Sequence, residues 1–254
     1  MLRPGALGDT LLAVPALRLL RARFGPLTLA AHGGASRFLA HVGEVDQALA
    51  FDDNRLAWLF RSDATQPCQD VVAWLDPKLV PGLRSALLVA PSRPTNEVHV
   101  AQYLVDTLGL AGEVNFGPLQ VEPLRSDEVL VHPGSGSVAK NWPAERFAAL
   151  ARRVPEVRMI VGEADAVVAE AMERAYGRPL PRLERPGLGE LAARLAGCRA
   201  YVGNDSGVSH LAGLCGARTL ALFGPTSPSV WRPLGPRVSV YGFDVTPEQL
   251  ALAL

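Results

Sequence analysis

Residues 201–224, YVGNDSGVSHLAGLCGARTLALFG, read as strand, tight polar turn, helix, glycine stop and second strand, a pattern that confines the chain to the α/β class. Residues 200–202 are a short apolar run, and Gly203-Asn204-Asp205-Ser206-Gly207 is turn chemistry. Asp205 or Ser206 can cap a helix from about Gly207 to Cys215, and Gly216 is placed to end it in a left-handed conformation. The helix then offers free backbone N–H groups and its positive end to a phosphate. Ser206 and His210, four apart, share one face of the first turn, so an anion there could receive a hydroxyl, an imidazole N–H and main-chain amides together. A capped helix beside a satisfied histidine explains the same residues without any ligand.

The 254 residues suffice for one large or two modest domains, and a hydrophobic share of 48% is ample for buried cores. Lys and Arg total 25 against 25 Asp and Glu, so the formal net charge is zero and neither half is visibly basic or acidic; nucleic acid is not indicated as a partner. Cys68, Cys198 and Cys215 lie far apart in small or apolar surroundings, which suits reduced thiols of a cytoplasm, not a disulfide frame or a metal knuckle. The N-terminus lacks a charged leader with an apolar core, and no apolar run approaches ~18 residues, so the expectation is a cytoplasmic chain that does not span a membrane.

The chain opens as strand, glycine turn and helix: Met1-Leu2-Arg3, then Pro4-Gly5-Ala6-Leu7-Gly8-Asp9-Thr10, then a helix whose apolar side carries Leu11, Leu12, Val14, Leu17, Leu19 and Leu20. The strand is short beside the ~5 residues usual in a buried parallel strand, so a true start of translation upstream of the assigned one is an expectation. Gly5-x-x-Gly8 is not the spaced glycine fingerprint of dinucleotide binders, and no Gly-Lys-Ser/Thr phosphate loop occurs. The turn is therefore judged on Asp9. As an N-cap it is ordinary; as a carboxylate at a strand's C-terminal end it points into the crevice where open α/β sheets bind ligands. Further strands are expected at 27–31, 48–51, 70–74 and 86–90, and helices at 36–42 and 99–108. NRLAWLFR, at 54–61, reads as a core-facing stripe with solvated arginines at its ends. Periodicity is lost over 109–127, which puts the domain boundary after residue 124.

In the second half, a strand at 129–131 runs into His132-Pro133-Gly134-Ser135-Gly136-Ser137, and Lys140-Asn141-Trp142-Pro143 opens a helix with Phe147, Leu150, Ala151 and Val154 on its apolar face. Ser135 and Gly136 are small enough for a phosphate to approach the backbone, and Lys140 is a point charge at the loop's far end. A solvated loop lysine is the plain alternative. A strand at 157–161 ends at Gly162-Glu163, whose carboxylate could bind a ribose or base edge or cap a helix over 165–176. Phe223-Gly224-Pro225-Thr226 is a second turn at a strand's C-terminal end, and Thr246-Pro247-Glu248-Gln249 is a capping box for a last short helix.

Three blocks, GALGD at residues 5–9, HPGSG with K-x-WP at 132–143, and GNDSG-x-x-HLAG at 203–213 followed by FGPT-x-x-x-x-W-x-P at 223–233, together resemble glycosyltransferase family 9, the ADP-heptose:lipopolysaccharide heptosyltransferases. The resemblance covers both halves in the right order. It implies a GT-B type α/β fold: two Rossmann-like domains with parallel sheets facing across a cleft. Residues 1–124 would take the acceptor and 125–254 the nucleotide-sugar, with the last helix, 246–254, packing back on the first domain. It also implies transfer of a heptose-like sugar from a nucleotide diphosphate sugar, ADP-heptose in the family, to a hydroxyl of a cell-envelope glycan or glycolipid, inverting and without a metal or other cofactor. In keeping with that, no Asp-x-Asp occurs, and the five histidines show no ligand spacing.

Carried over by the resemblance, Asp9 matches the general base and Lys140 the lysine that neutralises the departing diphosphate. Glu163 matches the glutamate on the nucleoside, and Ser135, Gly136, Asp205, Ser206, Gly207 and His210 fall in the donor loops. No obligate protein partner is implied, and a peripheral contact with the inner face of a membrane is left open. The chain is short for the family, mostly in its N-terminal half, so the resemblance leaves acceptor, sugar and nucleotide undetermined. Two other readings stand beside it. One is a non-catalytic nucleotide-sugar binder that retains the donor loops; the other is a hydrolase using Ser206 with His210, against which the Gly-x-Ser-x-Gly elbow is lacking.

Overall fold

A computed structural model describes residues 1–68 and 70–254. The chain divides into two compact units, Met1–Phe116 and Gly117–Leu254. The first unit carries β1 (Leu2–Arg3), α1 (Leu7–Leu11), α2 (Val14–Phe24), β2 (Thr28–Ala31), α3 (Gly33–His41), β3 (Gln47–Ala50), β4 (Val72–Trp74), β5 (Leu88–Ala90) and α4 (Val100–Thr107). Its strands form one parallel sheet in the order β3-β2-β1-β4-β5. Consecutive strands run outward from β1 on one side and then from β4 on the other. The switch point, where strand order reverses, therefore lies between β1 and β4, and ligands of open α/β sheets bind outside the carboxyl ends there.

The helix expected to run without interruption from the glycine turn is broken at Leu12 and Ala13, between α1 and α2. Pro15, in the first turn of α2, lacks the N–H that would continue the preceding helix. The N-cap of α1 is Ala6, so Asp9 is not the cap but the third helical residue. The stretch at 54–61 forms a 3-10 helix, Asn54–Phe60, that buries Leu56 and Leu59, while Arg55 and Arg61 pair locally with Asp53 and Asp63.

The second unit carries β6 (Val129–His132), α5 (Ala144–Ala151), β7 (Val157–Val161), α6 (Ala166–Tyr176), β8 (Arg182–Glu184), α7 (Leu188–Gly197), β9 (Ala200–Asn204), α8 (Gly207–Leu214), β10 (Thr219–Phe223), α9 (Pro228–Trp231), β11 (Val238–Gly242) and α10 (Pro247–Leu252). Its strands, all parallel, run β11-β10-β9-β6-β7-β8. Numbered within the unit, that is the dinucleotide-fold order 6-5-4-1-2-3, with the switch point between β6 and β9. β6, β9 and β10 are buried throughout and accordingly read as largely apolar runs, with polar His132 and Asn204 ending β6 and β9.

Two expected boundaries change. The units divide at Phe116 and Gly117, ahead of the expected boundary after 124, because the connecting segment is already tied to the second unit. Leu119, Leu124 and Ser126 donate backbone hydrogen bonds to the carbonyls of Leu214, Ala193 and Gly197 at 2.7, 2.8 and 2.9 Å. The last helix, expected to return to the first domain, lays Val245 and Leu250 into the second unit's own core and pairs Glu248 with Arg153 of that unit. Among the described residues, no helix is long and apolar enough to cross a membrane.

Candidate functional site

At the switch point of the second unit the polar ends of β6 and β9 meet the N-terminus of α8. Ser206 is its N-cap and accepts from the Ser209 N–H at 3.4 Å, while Gly216, at φ +74°, follows the helix in the left-handed conformation. Asn204, fully buried, spends its whole amide on the surrounding loops. Its oxygen accepts from the Trp142 N–H at 2.8 Å, and its nitrogen donates to the carbonyls of Pro133 at 2.8 Å and Gly134 at 3.3 Å. This one side chain thus fixes the HPG loop after β6, and the segment bearing Lys140, against β9.

Asp205 is the electrostatic centre. Its Oδ2 accepts from Lys140 Nζ and from Thr226 Oγ1, both at 2.8 Å, and His210 Nε2 stands 3.8 Å from Oδ1. Lys140, Asp205, Ser206, Gly207 and His210 are therefore brought together. Thr226 joins them from the turn after β10, where it was recognised only as part of a motif. Ser135 lies on the same loop as Lys140, with its hydroxyl donating to Ser137 O at 2.6 Å or Asn141 Oδ1 at 2.7 Å. Gly136 is exposed, and a Cβ there would meet nothing within 4 Å, so packing within the unit does not require a glycine at that position.

Glu163 stands exposed beyond β7, and the carboxylate turned inward from the same loop is that of Asp165. Although Asp165 is the N-cap of α6, its side chain makes no capping bond; Oδ2 accepts from the Gly162 N–H at 2.7 Å and meets His132 Nε2 at 2.9 Å. Burial pushes the Asp165 carboxyl up, but the hydrogen bonds from His132 and the Gly162 amide outweigh it, and the net displacement is downward. The other ring nitrogen, Nδ1, lies 3.4 Å from Ser206 Oγ. Ser206 therefore faces His132 and not His210, because the helical path carries His210 towards Asp205. This removes the geometry on which the Ser206–His210 hydrolase reading rested. His132, Asp165 and Asn204 escaped selection from sequence, where His132 and Asn204 stand within turn blocks and Asp165 only opens the expected helix over 165–176.

In the first unit, Asp9 sits at the end of β1 beside the switch point. Its Oδ2 accepts from the Ala6 N–H at 3.0 Å, the return half of a capping box whose other half an alanine cap cannot supply. Oδ1 lies 3.5 Å from Nη2 of Arg3, whose side chain is 1% exposed. Burial lowers the Arg3 pKa from its ordinary value, against the opposing pull of Asp9. Gly5 must be glycine here: its φ is +139°, and a Cβ would lie 2.8 Å from that of Asp9. A cavity of about 560 Å³ opens at the ends of β1, β2 and β3, lined by Gly5, His32, Arg37 and Asp52 among others.

Residues 105–250, more than half of the chain, match the model of glycosyltransferase family 9 (heptosyltransferase). The chain belongs to glycosyltransferase family 9. Among curated family members, it is 31% identical to the lipooligosaccharide heptosyltransferase 2 of Haemophilus influenzae over 115 residues, 40% of this chain and 32% of that protein. To the lipopolysaccharide heptosyltransferase 1 of Pseudomonas aeruginosa it is 38% identical over 109 residues, 39% of this chain and 29% of that one. The matches thus span about a third of the length of either relative.

Solved structures carry the fold likeness across nearly the whole family 9 chain. The E. coli ADP-heptose lps heptosyltransferase II superposes with a TM-score of 0.77 at 19% identity, covering 99% of this chain and 96% of that one. A glycosyl transferase family 9 structure from Veillonella parvula gives 0.76 at 18% identity, covering 95% and 84%. The E. coli heptosyltransferase WaaC with ADP gives 0.75 at 15% identity, covering 99% and 97%. With its two parallel-sheet units, the chain has the expected GT-B class of fold.

Proposed function

We propose that this family 9 member is an inverting glycosyltransferase that moves a heptose-like sugar from an ADP-linked donor to a hydroxyl of a cell-envelope glycan or glycolipid. The observation that carries the reading is the convergence of Lys140, Asp205, Thr226, Ser206 and His210 on the N-terminus of α8 at the second unit's switch point. That is a place built for a diphosphate: an ammonium, hydroxyls, an imidazole and oriented amides act where charge grows as the sugar leaves. E. coli WaaC, of like fold, has been solved with ADP and with ADP-2-deoxy-2-fluoro heptose, which supports the donor class.

In this scheme Asp9 takes the proton of the acceptor hydroxyl as its oxygen attacks the anomeric carbon. The bond from that carbon to the diphosphate breaks on the opposite face, and the electron pair leaves with the phosphate. Lys140, paired with Asp205, turns part of its charge to the leaving group, so the stabilisation is greatest when the bond is breaking. Ser135, Gly136 and Gly207 line the donor loops, and Glu163 is the candidate contact to the nucleoside from the exposed end of β7. The working location is the cytoplasm, with an acceptor that brings the enzyme to the inner face of the membrane.

Calorimetry against a panel of nucleoside diphosphates and their sugars tests the donor, with the tightest binding expected for an adenosine diphosphate sugar. Release of ADP only when an acceptor is added marks a transferase. Donor binding with no such release would identify a nucleotide-sugar binder, and indifference to every nucleotide would sink both readings.

A further inference from the structure

His132 has no part in the scheme above, yet it is buried beside the N-terminus of α8, 4% exposed and held at both ring nitrogens. An ionised Asp165 can only accept, so His132 Nε2 must be the donor in that bond. In a neutral ring Nδ1 is then a bare acceptor, and the group opposite it is the Ser206 hydroxyl, at 3.4 Å. The ring nitrogen is thereby an acceptor for the Ser206 proton. The Ser206 oxygen then offers only lone pairs, two of whose neighbours are the Ser209 N–H and Ser209 Oγ, each at 3.4 Å. A hydroxyl turned this way presents no donor to an anion at the helix tip. If Nδ1 is protonated, the bond reverses: His132 donates to Ser206 Oγ, and the Ser206 proton is released to point outward.

The groups that decide the balance are all in view. Asp165, from the loop between β7 and α6, favours the imidazolium. Burial by β6 and β9 opposes it. The Tyr201 phenol, 3.0 Å from the Ser209 hydroxyl and within hydrogen-bonding reach of Ser206 as well, is kept in the neutral form by burial. Lys140 and Asp205, of opposite charge, are paired with each other at 2.8 Å. An arriving diphosphate adds negative charge on the Ser206 side and tips the balance towards protonation.

Resting on the donor-site reading, we infer that His132, gripped by Asp165, is a positioning residue for the donor phosphates. It takes a proton from solvent as the diphosphate binds, and so frees the Ser206 hydroxyl to donate to a phosphate oxygen. The ring never touches the reacting atoms, and its effect passes through Ser206. Asp165 has a matching task in the fold. A Cβ on Gly134 would lie 1.9 Å from its Oδ1, so the carboxylate lies against a bare α-carbon and cannot swing away from the ring without opening that contact.

ADP-ribose is the probe, because its diphosphate is fully ionised throughout the neutral range and takes up no proton of its own. Calorimetry of the full chain in buffers of different ionisation enthalpy counts the protons taken up. For the wild type, net proton uptake on binding is expected, with affinity rising as pH falls, by up to about tenfold per unit, the limit for one proton. In His132→Gln the side-chain amide can still donate to Asp165 and accept from Ser206, so the fold is expected to hold while uptake disappears and affinity no longer depends on pH. Nitrogen-15 spectra of the His132 ring in the wild type give a second measure, free of any folding defect: both ring nitrogens should be protonated in the complex. Binding without uptake, uptake that survives His132→Gln, or a neutral ring in the complex would each overturn the inference and leave the donor site standing. Failure of the wild type to bind ADP-ribose at all would instead overturn the donor-site reading and this inference with it.

Discussion

Asp9→Asn keeps an oxygen for the Ala6 N–H but removes the countercharge of a buried Arg3, so the substitution separates two roles of one side chain. Turnover should fall ~10²–10⁴-fold if Asp9 is the base. Some loss of thermal stability is also expected, because Arg3 is left buried beside a neutral group. A steady-state assay on protein shown to be folded by circular dichroism reads the first effect apart from the second, and unchanged turnover would refute the base assignment. Thiol chemistry offers a simpler check at this scale. Burial pushes the Cys198 and Cys215 thiols up to about 12, whereas Cys68 is exposed. One of the three cysteines should therefore take up iodoacetamide quickly at mild alkaline pH in the folded chain, and all three in denaturant. Rapid labelling of Cys198 or Cys215 without unfolding would contradict the packing around α7 and α8.

Between elements, the decisive contact is the bridge that Asp165 makes from the β7–α6 loop to His132 at the end of β6. Its carboxylate accepts from the Gly162 amide and His132 while resting on Gly134, so Gly134→Ala must displace a group held at both ends. A destabilisation of ~1–3 kcal/mol follows, the usual cost of forcing an extra methyl into a packed site. Chemical denaturation should show it, together with weaker donor binding; an unperturbed midpoint would mean that the bridge is slack. The same bridge carries a pH signature. Because the folded Asp165 carboxyl titrates below its unfolded value, its contribution is complete above the ordinary carboxylate range and is lost as pH falls through the folded value. Asp165→Asn should accordingly cost stability at neutral pH and flatten part of its decline in acid.

Taken as a whole, the molecule is two parallel sheets, each with a core and a switch point of its own, joined by a segment that belongs structurally to the second. Leu119 is buried in that unit, and a Cβ on Gly197 would meet the Leu124 carbonyl at 2.1 Å, so residues 117–126 are packed against it and do not serve as a loose tether. A fragment spanning 117–254 is expected to melt cooperatively and to keep whatever nucleotide binding the full chain shows. A fragment starting at 125 loses Leu119 and its bond to the Leu214 carbonyl and should melt at a lower temperature. Equal melting points for the two would show that the segment adds nothing.

Apolar periodicity, turn residues and cap signals determined the parallel α/β class, most of the strands, the helix after β9 and its glycine stop, because each of these depends on neighbours in sequence. Asp9, Lys140, Asp205, Ser206 and His210 were legible as candidates for the same reason, lying in recognisable blocks that follow strand ends. Tertiary structure alone decided the rest. Whether Glu163 or Asp165 turns inward depends on where β6 lies relative to β7, and Ser206 meets His132 across 74 residues of chain. Where the connecting segment and the last helix dock was likewise settled by which core had apolar area left to cover, a quantity that no local stretch of sequence contains.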